Sequence, residues 1–169
     1  PRLATGGLVY HALNRGVGRM RLFDDEGDYA AFERVLEETL ARLGVRLLAY
    51  CLMPNHFHLV LWQVGDGDLS ELMRLLTVTH AQRWHAHRHT AGAGPIYQGR
   101  FKSFPAQSDE HLLGVLRYVE RNPLRAGLAG VGSAADWRWS SLGRAACEGG
   151  TCRIVSAWPI DRPTHWPRR

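Results

Sequence analysis

Val45-Arg46-Leu47-Leu48-Ala49-Tyr50-Cys51-Leu52-Met53-Pro54-Asn55-His56-Phe57-His58-Leu59-Val60-Leu61-Trp62 reads as two strands folded back on each other. Val45 to Cys51 reads as a strand, and Leu47 to Met53 is the longest apolar stretch of the chain. Met53-Pro54-Asn55 carries turn chemistry. His56 to Trp62 then resumes as a second apolar stretch, which makes a hairpin. Side chains alternate faces along a strand, so His56 and His58 share one face and Phe57 takes the other.

Working outward, Leu8 to Leu13 reads as a strand, followed by the turn-like Asn14-Arg15-Gly16-Val17-Gly18. Asp24-Asp25-Glu26 is an acidic helix start. Phe32, Val35, Leu36, Leu40 and Leu43 then fall on one helical face, and Gly44 ends the helix. After the hairpin, the loop Gly65-Asp66-Gly67-Asp68 leads to a helix from about Leu69 to His87, capped by Asp68 or Ser70. Its expected apolar face is Leu72, Leu75, Leu76 and Thr79. Tyr97 to Phe104 reads as a fourth strand. Ser108 caps a third helix, driven inward by Leu112, Leu113, Leu116 and Val119 and stopped at Asn122-Pro123. A short helix, Ser140 to Ala146, precedes a tail that ends in Arg168-Arg169. Strand, helix, strand, strand, helix, strand, helix is the order of an α+β, ferredoxin-like antiparallel sheet with helices on one or both faces. Residues 1–130 are expected to form the main domain, and 131–169 a C-terminal extension packed on it.

The chain has 169 residues, with 45% hydrophobic and 22% charged, an ordinary globular composition rather than a disordered one. Lys and Arg exceed Asp and Glu by 21 to 16, and Lys102 is the only lysine. Guanidinium groups suit phosphate oxygens, and a basic balance fits a nucleic-acid partner. No apolar stretch approaches the ~20 residues that span a bilayer. Pro1 to Gly7 lacks the apolar core of a secretion signal. Three cysteines do not make a disulfide framework, so a reducing cytoplasm is expected. Cys147 and Cys152 amount to half a metal site at most.

Two imidazoles one strand repeat apart can bind a divalent cation, although such a pair is more often simply half-exposed on a strand. Tyr118 and Asn122 lie four apart on a helix and share a face, where a tyrosine is usually a core-edge residue. His85 and His89 have a zinc-like spacing, but no acid follows His85. His80, His85, His87 and His89 read better as a solvent-facing helix end. His11 on the first strand either lines a cleft or is half-buried. Trp62, Trp84 and Tyr97 are aromatics able to stack on bases, with core packing the commoner use.

Three segments together resemble the REP-associated tyrosine transposases, within the HUH single-strand nucleases and transposases. They are Met53-Pro54-Asn55-His56-Phe57-His58-Leu59-Val60, Tyr97-Gln98-Gly99-Arg100-Phe101-Lys102 and Tyr118-Val119-Glu120-Arg121-Asn122-Pro123-Leu124-Arg125-Ala126-Gly127-Leu128. Trp137-Arg138-Trp139-Ser140-Ser141 is a weaker match. They stand in the family's order across roughly residues 8–142.

The resemblance implies an HUH endonuclease fold, with His56, His58 and Asn122 as metal ligands, Tyr118 as nucleophile and Mg²⁺ or Mn²⁺ as the cation. Asn122 departs from the wider group, where many members carry the longer Gln. A tyrosine hydroxyl is mostly protonated at neutral pH, so the cation's part is to polarise and orient the phosphate. The implied chemistry is metal-dependent cleavage and rejoining of single-stranded DNA through a 5′-phosphotyrosine link, at hairpin, REP-like palindromes. Arg15, Arg100, Lys102, Arg117, Arg121 and Arg125 are candidate phosphate contacts, with Arg74, Arg83 and Arg88 as further ones. The alternative is a domesticated hairpin DNA- or RNA-binding protein with little or no cleavage. A cytoplasmic, nucleoid-associated monomer is expected, with its tyrosine acting in cis and dimers as the alternative.

Overall fold

The computed structural model describes residues 5–128, 132–164 and 166. The expected domain boundary at 130/131 and the basic end Arg168-Arg169 lie outside them. The elements are β1 (Val9–Arg15), α1 (Glu26–Leu43), β2 (Arg46–Met53), β3 (His56–Trp62), α2 (Asp68–Arg88), β4 (Lys102–Pro105), α3 (Asp109–Glu120), α4 (Asn122–Arg125) and α5 (Ser141–Cys147). The four strands form one sheet in the order β2-β3-β1-β4. Every neighbouring pair is antiparallel. This is the α+β, ferredoxin-like arrangement expected from the order of elements. No helix among the described residues is long and apolar enough to cross a membrane.

The alternation in β3 sorts the two sides of the sheet. Phe57, Leu59 and Leu61 join Tyr10, Ala12, Tyr50 and Leu52 in a core closed by Phe32, Val35 and Leu36 of α1 and Leu69, Leu72, Met73 and Leu76 of α2. Each fully buried Leu or Phe contributes about 1.5–3 kcal/mol. Val60 joins Ala49, Cys51 and Met53 on the opposite face, against Leu112, Leu116 and Val119 of α3. All of β2 after Arg46 is buried, because both faces are covered. The hairpin turn is tied down: the Pro54 carbonyl accepts from the Leu22 and Phe23 amides, and the Asn55 carbonyl from the Gly16 amide.

Local signals held where they were strong. The Asp25 side chain caps α1 by accepting from the Asp28 amide, and Gly44 closes it with a left-handed φ of 66°. Ser108 caps α3 through the His111 amide, and Ser140 caps α5 through the Gly143 amide.

Four expectations need correction. The cap of α2 is Gly67, with no side-chain bond. Instead the Leu69 amide donates to Oε1 of buried Gln63, while Asp68 accepts from the Gly65 amide. The buried face of α2 is Leu69, Leu72, Met73, Leu76 and His80, so Leu75 and Thr79 sit at its margin. The fourth strand begins at Lys102, not Tyr97: Tyr97 bridges to Gly16, and then Gly99, at φ 80°, carries the chain off the ladder. Asn122-Pro123 does not end the helical path. It breaks at Arg121 and resumes for one turn as α4.

His80 is likewise not solvent-facing. It is 3% exposed, and its Nδ1 lies 2.7 Å from the Tyr97 hydroxyl. Burial lowers its pKa from 6.5 to about 4. A histidine kept neutral in the folded state but free to charge when unfolded adds stability at neutral pH, and that stability is lost as pH falls below the unfolded value. Acidifying from about pH 7 to about pH 5 is expected to cost about 2 kcal/mol through this one group. Denaturant melts at the two pH values check it: His80→Asn should flatten the difference by that amount.

Candidate functional site

β3 brings His56 and His58 to the face shared with α3, as the alternation requires. Their ring centroids are 5.0 Å apart. β1 runs antiparallel beside β3, and His11 stacks on His58 with centroids 5.1 Å apart and planes at 25°. Tyr118, on the last turn of α3, sets its ring 5.7 Å from His58 and 5.9 Å from His11, edge-on to both. Tyr118 is 40% exposed, and its hydroxyl enters no hydrogen bond among the described residues. The paired imidazoles and the phenol, 60 residues apart in sequence, therefore meet within one chain.

Each histidine of the pair is oriented through Nδ1. His56 Nδ1 lies 2.7 Å from the Asn55 side-chain oxygen. That oxygen only accepts, so the ring donates from Nδ1 and keeps its lone pair at Nε2. His58 Nδ1 lies 2.9 Å from His11 Nε2. Burial, then the Arg15 charge, holds the pKa of His56 at about 4. Burial lowers His11 to about 4. His58, 4% exposed, is lowered to about 2 by burial and then by its His11, His56 and Arg15 neighbours. Neutral imidazoles are the form that binds a cation.

Asn122 is buried. Its amide nitrogen donates to the Tyr118 carbonyl at 3.2 Å, which leaves the oxygen as the atom able to take a metal. Among the described residues no cluster of three or more His, Cys, Asp or Glu could hold a metal ion, and His85 with His89 makes none. His85 instead bonds Thr90 and the Gly94 carbonyl in its own loop. A cation at the pair would find the two imidazoles.

The cationic residues separate by partner. Arg74, Arg83 and Arg88 are committed to Glu71, Glu38 and the Asp24/Asp28 pair. Arg15, Arg100 and Lys102 have no carboxylate partner among the described residues. With Leu13, Asn14 and Gln98 they line a cleft of about 200 Å³. Arg15 stands opposite His56 across the β1–β3 ladder, and its Nε is buried without a hydrogen-bond partner. Arg100 is in the loop before β4, not on the strand. The Arg125 guanidinium lies over the Tyr118 ring at 5.2 Å. Arg117 lies over Trp166 at 5.1 Å, toward the tail. The Nε of Arg121 is buried without a partner.

The tail fastens the tyrosine helix from behind. Glu120, two residues past Tyr118, accepts from Ser141 Oγ at 2.9 Å and Trp166 Nε1 at 2.6 Å. Sequence reasoning did not single out Asn55 or Glu120. Asn55 stands next to His56, which is a signal of sorts; Glu120 finds its partners 21 and 46 residues away, and no local pattern shows that.

The IS200-like transposase family pattern matches residues 4–122. A Haemophilus influenzae protein named as a REP-associated tyrosine transposase is 24% identical over 122 residues, covering 67% of this chain and 68% of its own. Among solved structures, a REP-associated tyrosine transposase bound to a REP hairpin superposes with a TM-score of 0.67 at 19% identity, over 96% of this chain and 92% of the other. A transposase from Deinococcus radiodurans R1 superposes with a TM-score of 0.50 at 19% identity, over 68% and 89%.

Proposed function

The chain belongs to the IS200-like transposase family, and from that premise we propose that it cuts and rejoins single-stranded DNA at hairpin sequences, with Tyr118 as nucleophile and Mg²⁺ or Mn²⁺ as cofactor. The observation that carries this is the free Tyr118 hydroxyl on a ring 5.7 Å from that of His58. The cation-lined cleft beside the histidines supports a DNA strand as substrate. The solved REP-associated relative is bound to a REP hairpin, and we extend that partner class to this chain. Because the tyrosine and the imidazoles meet within one chain, we assign the tyrosine to act in cis, in a monomer.

Nε2 of His56, Nε2 of His58 and Oδ1 of Asn122 would hold the cation. Two imidazoles and one amide oxygen suit Mn²⁺ better than the harder Mg²⁺. When bound, the cation draws charge from the phosphate and orients it for attack. Arg15, Arg100 and Lys102 hold the strand through its phosphates, with Arg121 and Arg125 flanking the tyrosine and Arg117 at the tail side of the same helix. Tyr118 oxygen attacks phosphorus; its proton leaves to solvent. The bond from phosphorus to the 3′ oxygen breaks, and that oxygen takes up a proton as a free 3′-hydroxyl. The 5′-phosphotyrosine keeps the ester bond, so attack by another 3′-hydroxyl rejoins strands and restores the phenol.

The test is to incubate the full chain with hairpin DNA carrying a single-stranded flank and Mn²⁺, then separate products under denaturing conditions. A covalent protein–DNA adduct is expected. Hairpin binding that survives EDTA, with no adduct under any condition, would replace this reading with that of a binding protein.

His11 is expected to act through His58. With its ring stacked on His58 and Nε2 at 2.9 Å from Nδ1, it fixes how His58 is presented. Loss of such a supporting partner typically weakens metal affinity about 10–100-fold. His11→Ala should show that loss in Mn²⁺ titration calorimetry, and His11→Gln, which keeps a hydrogen-bonding end, should recover part of it.

A further inference from the structure

Phosphate contacts hold a strand, but bases need a flat apolar surface. Tyr97 is buried. The Trp84 ring is covered by Arg88 at 4.3 Å and Trp62 by Arg46 at 4.8 Å. None of the three offers a free face beside Tyr118. Phe104 does. It is 53% exposed and pairs with His11 across the β1–β4 ladder, so both project from the face that carries His56 and His58. Its ring centroid is 6.3 Å from that of His11, which lies 5.9 Å from Tyr118.

α3 packs mainly on β2 and β3 of that face, while Lys102, Phe104 and Pro105 of β4 stay exposed. Lys102, two residues before Phe104, pairs with Leu13 and projects the same way. Single exposed apolar residues are ordinary on a protein surface. Phe104 differs in its surroundings: one imidazole separates it from Tyr118, and a cleft lined by Arg15, Arg100 and Lys102, with no carboxylate, opens beside it. An aromatic face set among cations with no carboxylate partner among the described residues matches a polyanion with flat, uncharged rings, which is single-stranded nucleic acid.

We propose that Phe104 is the stacking platform for the unpaired base next to the cleaved phosphate, and that Lys102 takes a neighbouring phosphate of the same strand. This rests on the single-strand cleavage reading above. Stacking holds a base by ring area rather than by hydrogen-bonding edge, so the position is tolerant of base identity. It sets how far the strand advances toward Tyr118.

The test uses the full chain without metal and two probes: a hairpin with a short mixed-sequence single-stranded flank, carrying 2-aminopurine at successive flank positions, and the same hairpin blunt. Phe104→Ala should weaken the flanked probe on the order of tenfold to a hundredfold, leave the blunt probe unchanged, and abolish fluorescence quenching at one flank position. Phe104→Tyr, which keeps the ring, should restore both. Equal affinities of Phe104→Ala and the parent chain for the flanked probe, with an unchanged quenching profile, would overturn the Phe104 assignment and leave the transposase reading standing. So would equal losses on both probes. A parent chain that binds neither probe would overturn both.

Discussion

Tyr118→Phe is expected to fold, to bind hairpin DNA as the parent chain does, and to form no covalent adduct. The ring makes the side-chain contacts of Tyr118: edge-on to His58 and His11 and beneath the Arg125 guanidinium. Phenylalanine keeps that ring. The hydroxyl bonds to nothing among the described residues, so removing it leaves no partner unsatisfied, and stability should stay within about 0.5 kcal/mol. What disappears is the proposed nucleophile. Adduct yield on a denaturing gel should fall to background, with the melting curve and hairpin affinity unchanged. An adduct that persists in Tyr118→Phe would mean that another side chain attacks.

His58→Ala is expected to lose adduct formation on the order of a thousandfold, the several kcal/mol by which a bound cation stabilises a transferring phosphoryl group. This variant is less clean. His58 is 4% exposed, and its loss leaves a gap and an unpaired His11 Nε2, worth about 1–3 kcal/mol of stability. EDTA on the unaltered chain supplies the control, since it removes the cation and disturbs no packing. Both treatments should abolish the adduct and spare hairpin binding, which the proposed function assigns to Arg15, Arg100 and Lys102. If EDTA leaves the adduct at full yield, the histidine pair serves packing rather than a cation.

The hairpin was legible because its signals are local: an apolar run, a turn and strict alternation, which put Phe57 in one core and His56 and His58 on the other face. The caps Asp25, Ser108 and Ser140 were legible for the same reason. α2 shows where local reading fails. Its start is satisfied by Gln63, from the end of β3, and its inner face turns to include His80 because Tyr97 offers the ring a hydrogen bond across the core. β4 is shorter than the basic stretch Tyr97 to Phe104 that reads as a strand, because Gly99 leaves the ladder, a backbone conformation that composition does not display. For the site, spacing gave the pairing of His56 with His58 and of Tyr118 with Asn122, and the family resemblance alone joined the two pairs. The contact of His11 with His58 depends on the β1–β3 register, and Phe104 stood out only once its pairing with His11 was visible. The ion pairs that tie up Arg74, Arg83 and Arg88 are also long-range or rotamer-dependent, so sequence could not separate them from Arg15, Arg100 and Lys102.

The way β2 is bordered has a bearing on how the molecule behaves in crowded solution. The Trp139 carbonyl accepts from the Leu52 amide and the Ser156 amide donates to the Leu47 carbonyl, while the indoles of Trp137 and Trp158 donate to the Leu52 and Leu48 carbonyls. The chain thus sheathes one margin of its sheet with its own later residues. The other margin, β4, is four residues long and finishes in Pro105, which has no amide hydrogen to offer. Two molecules meeting side by side find no long ribbon onto which to zip, and strand addition that would build fibres is disfavoured at both ends.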